Sequence, residues 1–172
     1  MLPIKTERLI IREFDESMAE SVCKNSLDED NRRFVPDEVF NTVEEAREII
    51  HRLKEFYLKK DSPLVYAVTL HDGRHIGHVQ AVPYYGDWEA GYHIAKDFTG
   101  NGYATEALAA FLPPILERIG ISRIYGICRA DNIASRRVLE KCGFFLEFCG
   151  EGRYHGETHK ICRYMFSAPC PI

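Results

Sequence analysis

From Trp88 to Ala110 the chain reads WEAGYHI, AKDF, then TGNGYATEALAA, and no other stretch restricts the fold as much. Apolar and polar residues alternate through Glu89-Ala90-Gly91-Tyr92-His93-Ile94, which suits a strand with two unlike faces. Gly100 and Gly102 open positive φ to the backbone and let a ligand come close. From Tyr103 onward, Ala104, Ala107, Leu108, Ala109 and Ala110 are strong helix formers. The first turn of that helix carries unpaired N–H groups at the positive end of its dipole. Such an end is a ready seat for a phosphate-bearing ligand, although a plain structural turn uses the same local pattern.

A length of 172 residues fits one domain, 1–172, with a sizeable core. With 45% hydrophobic and 28% charged residues, the chain reads as globular rather than disordered. A net charge of -4 argues against a general nucleic-acid binder, which needs a basic face. The opening Met-Leu-Pro-Ile-Lys-Thr-Glu-Arg lacks an apolar signal core, and no apolar run reaches membrane length. No membrane partner and a cytoplasmic location are expected. The six cysteines form no C-x-x-C pair and read as free thiols. His71, His75 and His78 flank a hairpin, and strand alternation separates His75 from His78, so no metal site is expected.

Taken in order, Thr6 to Phe14 reads as a first strand, and Asp15-Glu16-Ser17 caps a helix from about Met18 to Asn25. Leu27 to Asn31 reads as a polar connector, and Asn31 to Pro36 as a loop that can line a substrate mouth. Thr42-Val43-Glu44-Glu45 is a capping box. Val43, Ala46, Ile50, Leu53 and Tyr57 then mark one buried helical face, which Asp61-Ser62-Pro63 ends. Leu64–Leu70 and His75–Val82 pair through an Asp72-Gly73 turn, with Gly77 a candidate bulge. Pro113 and Pro114 predict a kink or break near Leu112. Arg123–Arg129 is the next strand, and Asp131-Asn132 caps a helix to Lys141 that ends at Gly143. Two strands meet through Tyr154-His155-Gly156-Glu157, and Ser167–Ile172 is expected to fray. Mixed α/β or α+β is the class.

Three segments together resemble the GNAT superfamily of N-acetyltransferases. They are Glu89-Ala-Gly-Tyr-His-Ile, Thr-Gly-Asn-Gly-Tyr-Ala-Thr-Glu-Ala (99–107) and Asn132-x-x-Ser135-x-x-x-Leu-Glu-Lys-x-Gly-Phe144. With Thr6-Glu-Arg-Leu-Ile-Ile-Arg12, they are most similar to the branch containing the RimJ/RimL-like ribosomal-protein N-terminal acetyltransferases. The resemblance implies a mostly antiparallel, twisted sheet with helices on both faces, splayed at an acetyl-CoA site. It places the family's coenzyme-A signature on Thr99, Gly102 and Ala104, where Thr99 departs from the usual long polar residue. The implied cofactor contacts are Tyr92, His93 and Ile94 on the strand, Gly100, Asn101, Gly102, Tyr103, Ala104 and Thr105 in the loop, and Asn132.

The reaction so implied is direct attack of an amine on the acetyl thioester, without a metal. It needs a neutral amine, an oxyanion donor and a proton for the departing thiolate. Glu89 is the candidate base, set against an ordinary solvated glutamate. Many relatives use a tyrosine as general acid where this chain has Leu139, so Ser135 is the candidate substitute, set against simple helix packing. Cys128 and Cys142 lack a neighbouring base and do not read as nucleophiles. The acceptor is a small molecule or a protein N-terminus, and the chain a monomer or homodimer. A dinucleotide fold would need a third glycine, and a P-loop enzyme G-x-x-x-x-G-K-[ST], and both are absent. The remaining rival is a non-catalytic acyl-CoA-binding module, which Thr99 and Leu139 keep open.

Overall fold

In a computed structural model, residues 3–59 and 61–168 are described. The strands are β1 (Ile4–Lys5), β2 (Leu9–Arg12), β3 (Leu64–Leu70), β4 (His75–Tyr84), β5 (Asp87–Ile94), β6 (Arg123–Arg129), β7 (Phe145–Tyr154) and β8 (Glu157–Ser167). The helices are α1 (Ala19–Ser26), α2 (Glu29–Phe34), α3 (Val43–Phe56), α4 (Tyr103–Ile119) and α5 (Ile133–Lys141). All the strands join one sheet in the order β1-β2-β3-β4-β5-β6-β8-β7. Every neighbouring pair is antiparallel except β5 and β6. This is the mixed class that the sequence predicts, with the mostly antiparallel sheet that the resemblance implies. No helix among the described residues is long and apolar enough to cross a membrane.

Local chemistry explains most boundaries. Thr42 Oγ1 accepts from the Glu45 N–H at 3.1 Å, while Glu45 reaches back one residue further than the usual box, to the Asn41 N–H. Ala46, Ile50 and Leu53 bury the inner face of α3. At the end of α5, Gly143 takes φ +84°, and the Phe144 N–H bonds the Leu139 carbonyl, which turns Phe144 into the core. Leu108, Phe111, Leu112 and Ile115 of α4 are fully buried, each contributing roughly 1.5–3 kcal/mol through the water it sheds.

Several sequence expectations need correction. The first strand is a short hairpin, because Thr6 Oγ1 takes the Leu9 N–H and turns the chain between β1 and β2. The connector and loop assigned to 27–36 contain α2, which Asp28 caps by accepting the Asn31 N–H, and a 3-10 turn, Pro36–Glu38. Buried Asn31 then ties the two together by donating to the Ser26 and Glu38 carbonyls. α4 runs unbroken through Pro113 and Pro114. The carbonyls those prolines leave unbonded belong to exposed Ala109 and half-buried Ala110, within reach of water, while buried residues anchor both halves. Ser167 ends β8, and the Ala168 N–H bonds the Ser122 carbonyl, so fraying does not start there. The rest of the expected frayed tail, residues 169–172, lies outside the described residues.

The sheet opens where β5 meets β6. Their ladder holds the single pair Glu89↔Tyr125, whereas β4 and β5 pair from Gly77↔Ile94 to Tyr84↔Asp87. Past Glu89 the two parallel strands diverge, leaving the β6-facing edge of Tyr92–Ile94 free for another extended group. The two faces of β5 meet different helices. Tyr92 reaches α5, and His93 reaches Asp28 at the start of α2.

Candidate functional site

A cavity of about 1410 Å³ occupies this opening. It is lined by β4, β5, the glycine loop, the starts of α4 and α5, and the β7–β8 turn. In the loop Gly100 and Gly102 both take positive φ, +78° and +79°. Thr99 Oγ1 donates to the Lys96 carbonyl, and Asn101 Nδ2 to the Phe98 and Thr99 carbonyls. These side chains therefore hold the loop, and none caps α4. The first N–H groups of α4 are left for an anionic ligand. Of the loop residues expected to hold a cofactor, Gly100, Gly102, Tyr103, Ala104 and Thr105 line the cavity, and Asn101 does not.

Arg8 also belongs to this end, and local sequence gave no sign of it. Its Nε and Nη2 reach Glu106 at 2.6 Å, and Nη1 donates to the Asn101 carbonyl at 2.9 Å. The guanidinium covers the Tyr103 ring and ends 3.6 Å from where a Gly102 Cβ would stand. Burial raises the Glu106 pKa, but hydrogen bonds from Thr6 and Arg8 outweigh it and keep the carboxylate ionised.

Glu89, Tyr92, His93, Ile94, Asn132 and Ser135 all line the cavity. Burial pushes the Glu89 carboxyl up to about 7, with His155 opposing and Glu38 reinforcing the shift. It is a group poised to take a proton near neutral pH. The Tyr92 phenol lies 2.8 Å from the Ser135 carbonyl and 2.9 Å from its Oγ. Asn132 Oδ1 accepts the Ser135 N–H, so Asn132 is the helix cap the sequence indicates. Burial raises the Cys128 thiol to about 12 and Cys142 to about 11, which leaves both un-ionised and poor nucleophiles. Cys128, Cys162 and Cys149 sit in register on β6, β8 and β7, all as free thiols.

The other wall carries a polar group that sequence reading missed. Pairing sets His78 opposite His93 and Gln80 opposite Gly91. A bulge at Ile76 brings His75 to the same side, where its Nδ1 meets Ser21 of α1, so alternation does not separate it from His78. Glu38 accepts from Gln80 at 3.0 Å and meets His78 Nε2 at 3.2 Å. Burial alone would raise its carboxyl, yet His78 and Gln80 bring it down to about 2. His93 Nε2 meets Asp28 at 3.4 Å, and burial lowers its pKa, which favours the neutral ring. At the rim His155 pairs with Asp37 at 2.7 Å.

Residues 8–145 match the family described as Acetyltransferase (GNAT) domain. The chain belongs to the GNAT acetyltransferases. It is 32% identical over 143 residues to the N-acetyltransferase YnaD of Bacillus subtilis (strain 168), covering 81% of each chain. A GNAT acetyltransferase structure from Bacillus anthracis superposes with TM-score 0.81 at 28% identity, covering 95% of this chain and 97% of that one. The ribosomal-protein N-acetyltransferase RimL in complex with coenzyme A has the same fold, with TM-score 0.81, 22% identity and 97% of each chain covered. This protein is thus an N-acetyltransferase with the GNAT fold.

Proposed function

We propose that this enzyme uses acetyl-CoA to acetylate a primary amine by direct attack on the thioester. One observation carries the reading: the sheet opens beside Glu89, at a cavity that also takes in the uncapped start of α4. In this reading the N–H groups from Gly100 to Thr105 hold the pyrophosphate, with Asn101 acting through its backbone. Tyr92, His93 and Ile94 pair their free edge with the pantetheine arm, and Asn132 contacts its amide. The Ile94 N–H polarises the acetyl carbonyl. Glu89 removes a proton from the amine, directly or through one water, as nitrogen bonds the acetyl carbon. The C–S bond then breaks with its electron pair on sulfur, and Ser135 donates to that sulfur. Starting from the neutral amine, Glu89 afterwards releases its proton to water and the thiolate takes one from water, while Ser135 keeps its own. The overall transfer is therefore proton-neutral.

The acceptor enters on the side of α2 and the β7–β8 turn. Asp28, Asp37 and Glu38 line that side, each beside a histidine, which favours an acceptor with a cationic group besides the neutral amine that attacks. RimL acts on a ribosomal protein, and its shared fold supports a protein N-terminus as one acceptor class beside small amines. The enzyme works in the cytoplasm as a monomer or homodimer. Isotope-labelled acetyl-CoA offered to a panel of polyamines, amino acids and short peptides tests the reading. Transfer to at least one amine is expected. Tight cofactor binding with no transfer to any acceptor would instead make the chain a binding module.

A further inference from the structure

We infer that Tyr92 is a positioning residue that orients and polarises the Ser135 hydroxyl toward the departing sulfur. This rests on the reading of Ser135 as the donor. Ser135 stands in the first turn of α5, with no preceding helical turn to take its hydroxyl proton, so tertiary partners set the direction of its side chain. Its N–H is fixed by Asn132 Oδ1 at 3.0 Å, and across the opening one phenol sits within 2.8 Å of its carbonyl and 2.9 Å of its Oγ. That phenol belongs to β5, so the contact joins the two banks of the splay where β5 and β6 have no ladder. Both residues line the cavity.

The hydrogen-bond inventory explains what the phenol does. A tyrosine has one proton to give, and a serine hydroxyl has one proton and two lone pairs. With the phenol proton on the Ser135 carbonyl at 2.8 Å, the 2.9 Å contact is made by the serine proton on the phenol oxygen. When the serine proton turns to sulfur, the phenol turns its own proton to Oγ, and the bond the serine makes is strengthened by the bond it receives. As the C–S bond breaks, negative charge grows on sulfur, and the aligned Ser135 O–H stabilises it. Burial raises the Tyr92 pKa, so the phenol stays protonated and remains a donor over the working range. Cys128 stands beside the same hydroxyl as a neutral thiol, a weak competitor for the serine proton. The next turn of α5 offers no substitute, because Leu139 packs against Gly126.

Tyr92→Phe removes one oxygen and keeps the ring. With acetyl-CoA and the best acceptor of the panel, kcat should fall roughly tenfold to a hundredfold while KM for acetyl-CoA stays within about twofold. In a double-mutant cycle, Tyr92→Phe added to Ser135→Ala should cost nothing further, since the phenol acts only through the serine. Circular-dichroism melting of each variant confirms that the fold is retained. If Ser135→Ala turns over like the parent, the reading of Ser135 itself fails, and the inference falls with it. If Ser135→Ala is slow but Tyr92→Phe is as fast as the parent, Ser135 stands and Tyr92 is not its positioning residue. Equal slowing by Tyr92→Phe in both backgrounds overturns the inference too, because the phenol would then act elsewhere.

Discussion

Glu89 owes its chemistry to its place at the last pair before the strands part. Burial first, then the nearby Glu38 charge, outweigh His155 and leave its carboxyl titrating at about 7. The proposed base works only when deprotonated, so kcat/KM should rise through a limb near pH 7 and level off above it. Glu89→Gln should lower kcat by roughly 10²–10⁴ and abolish that limb. A full pH–rate profile of both proteins checks this, and a limb surviving in the variant would remove Glu89 from the mechanism. The same shift has a consequence for stability. The folded pKa lies above the unfolded value of about 4.3, so the folded state keeps its proton longer. Stability from this group is therefore fully present below about pH 4.3 and is lost as pH rises to about 7. Glu89→Gln should melt above the parent at pH 8 and lose that advantage at pH 4.

The element on which the proposed function leans most is the glycine loop with the start of α4. Gly102 holds φ +79° with only the Arg8 guanidinium near its missing Cβ. Gly102→Asp strains that turn and sets a carboxylate where the reading places the pyrophosphate, with Arg8 able to offset only part of the charge. Acetyl-CoA affinity should weaken at least about tenfold, near 1.4 kcal/mol, which titration calorimetry reads directly. Unchanged affinity in a folded variant would dissociate this loop from the cofactor. At this scale the sequence was highly legible. Thr42 and Glu45, Asp72-Gly73, Asn132 and Gly143 each announce a turn or cap through contacts within five residues. Two elements were not legible, for a shared reason. α2 is too short and polar to show an apolar stripe, and its existence depends on Asp28 and on Asn31 reaching back to Ser26. The proline pair breaks a helix only where the lost bonds lie in a dry interior, and exposure of Ala109 is set by the packing of the whole sheet.

For the whole molecule, the cavity is assembled from partners far apart in the chain, which is why its lining was only half readable. The loop came through its glycines ahead of a helix, and Asn132 through the family resemblance. Arg8–Glu106, Glu38–His78 and Tyr92–Ser135 arise only from strand order and register, and no local pattern signals them. The segment from α2 to the 3-10 turn also spans the opening and is tied to the far bank twice. Arg33 meets Asp131 ahead of α5 at 2.7 Å, and Asp37 meets His155 in the β7–β8 turn at 2.7 Å. Exposed ion pairs of this kind contribute less than about 1 kcal/mol each, so they fix the position of that cavity wall, the proposed acceptor side, more than they stabilise the fold. The Asp37 hydrogen bond raises the His155 pKa above its ordinary value against the pull of burial. A raised histidine contributes its stability in full below about pH 6.5 and loses it as pH climbs through the folded pKa. Asp37→Ala should therefore melt slightly below the parent at pH 6, and the gap should close toward pH 8.5. The variant should also raise KM for the acceptor while leaving KM for acetyl-CoA alone. A melting gap of the same size at both pH values would show that the pair contributes nothing through the charge on His155.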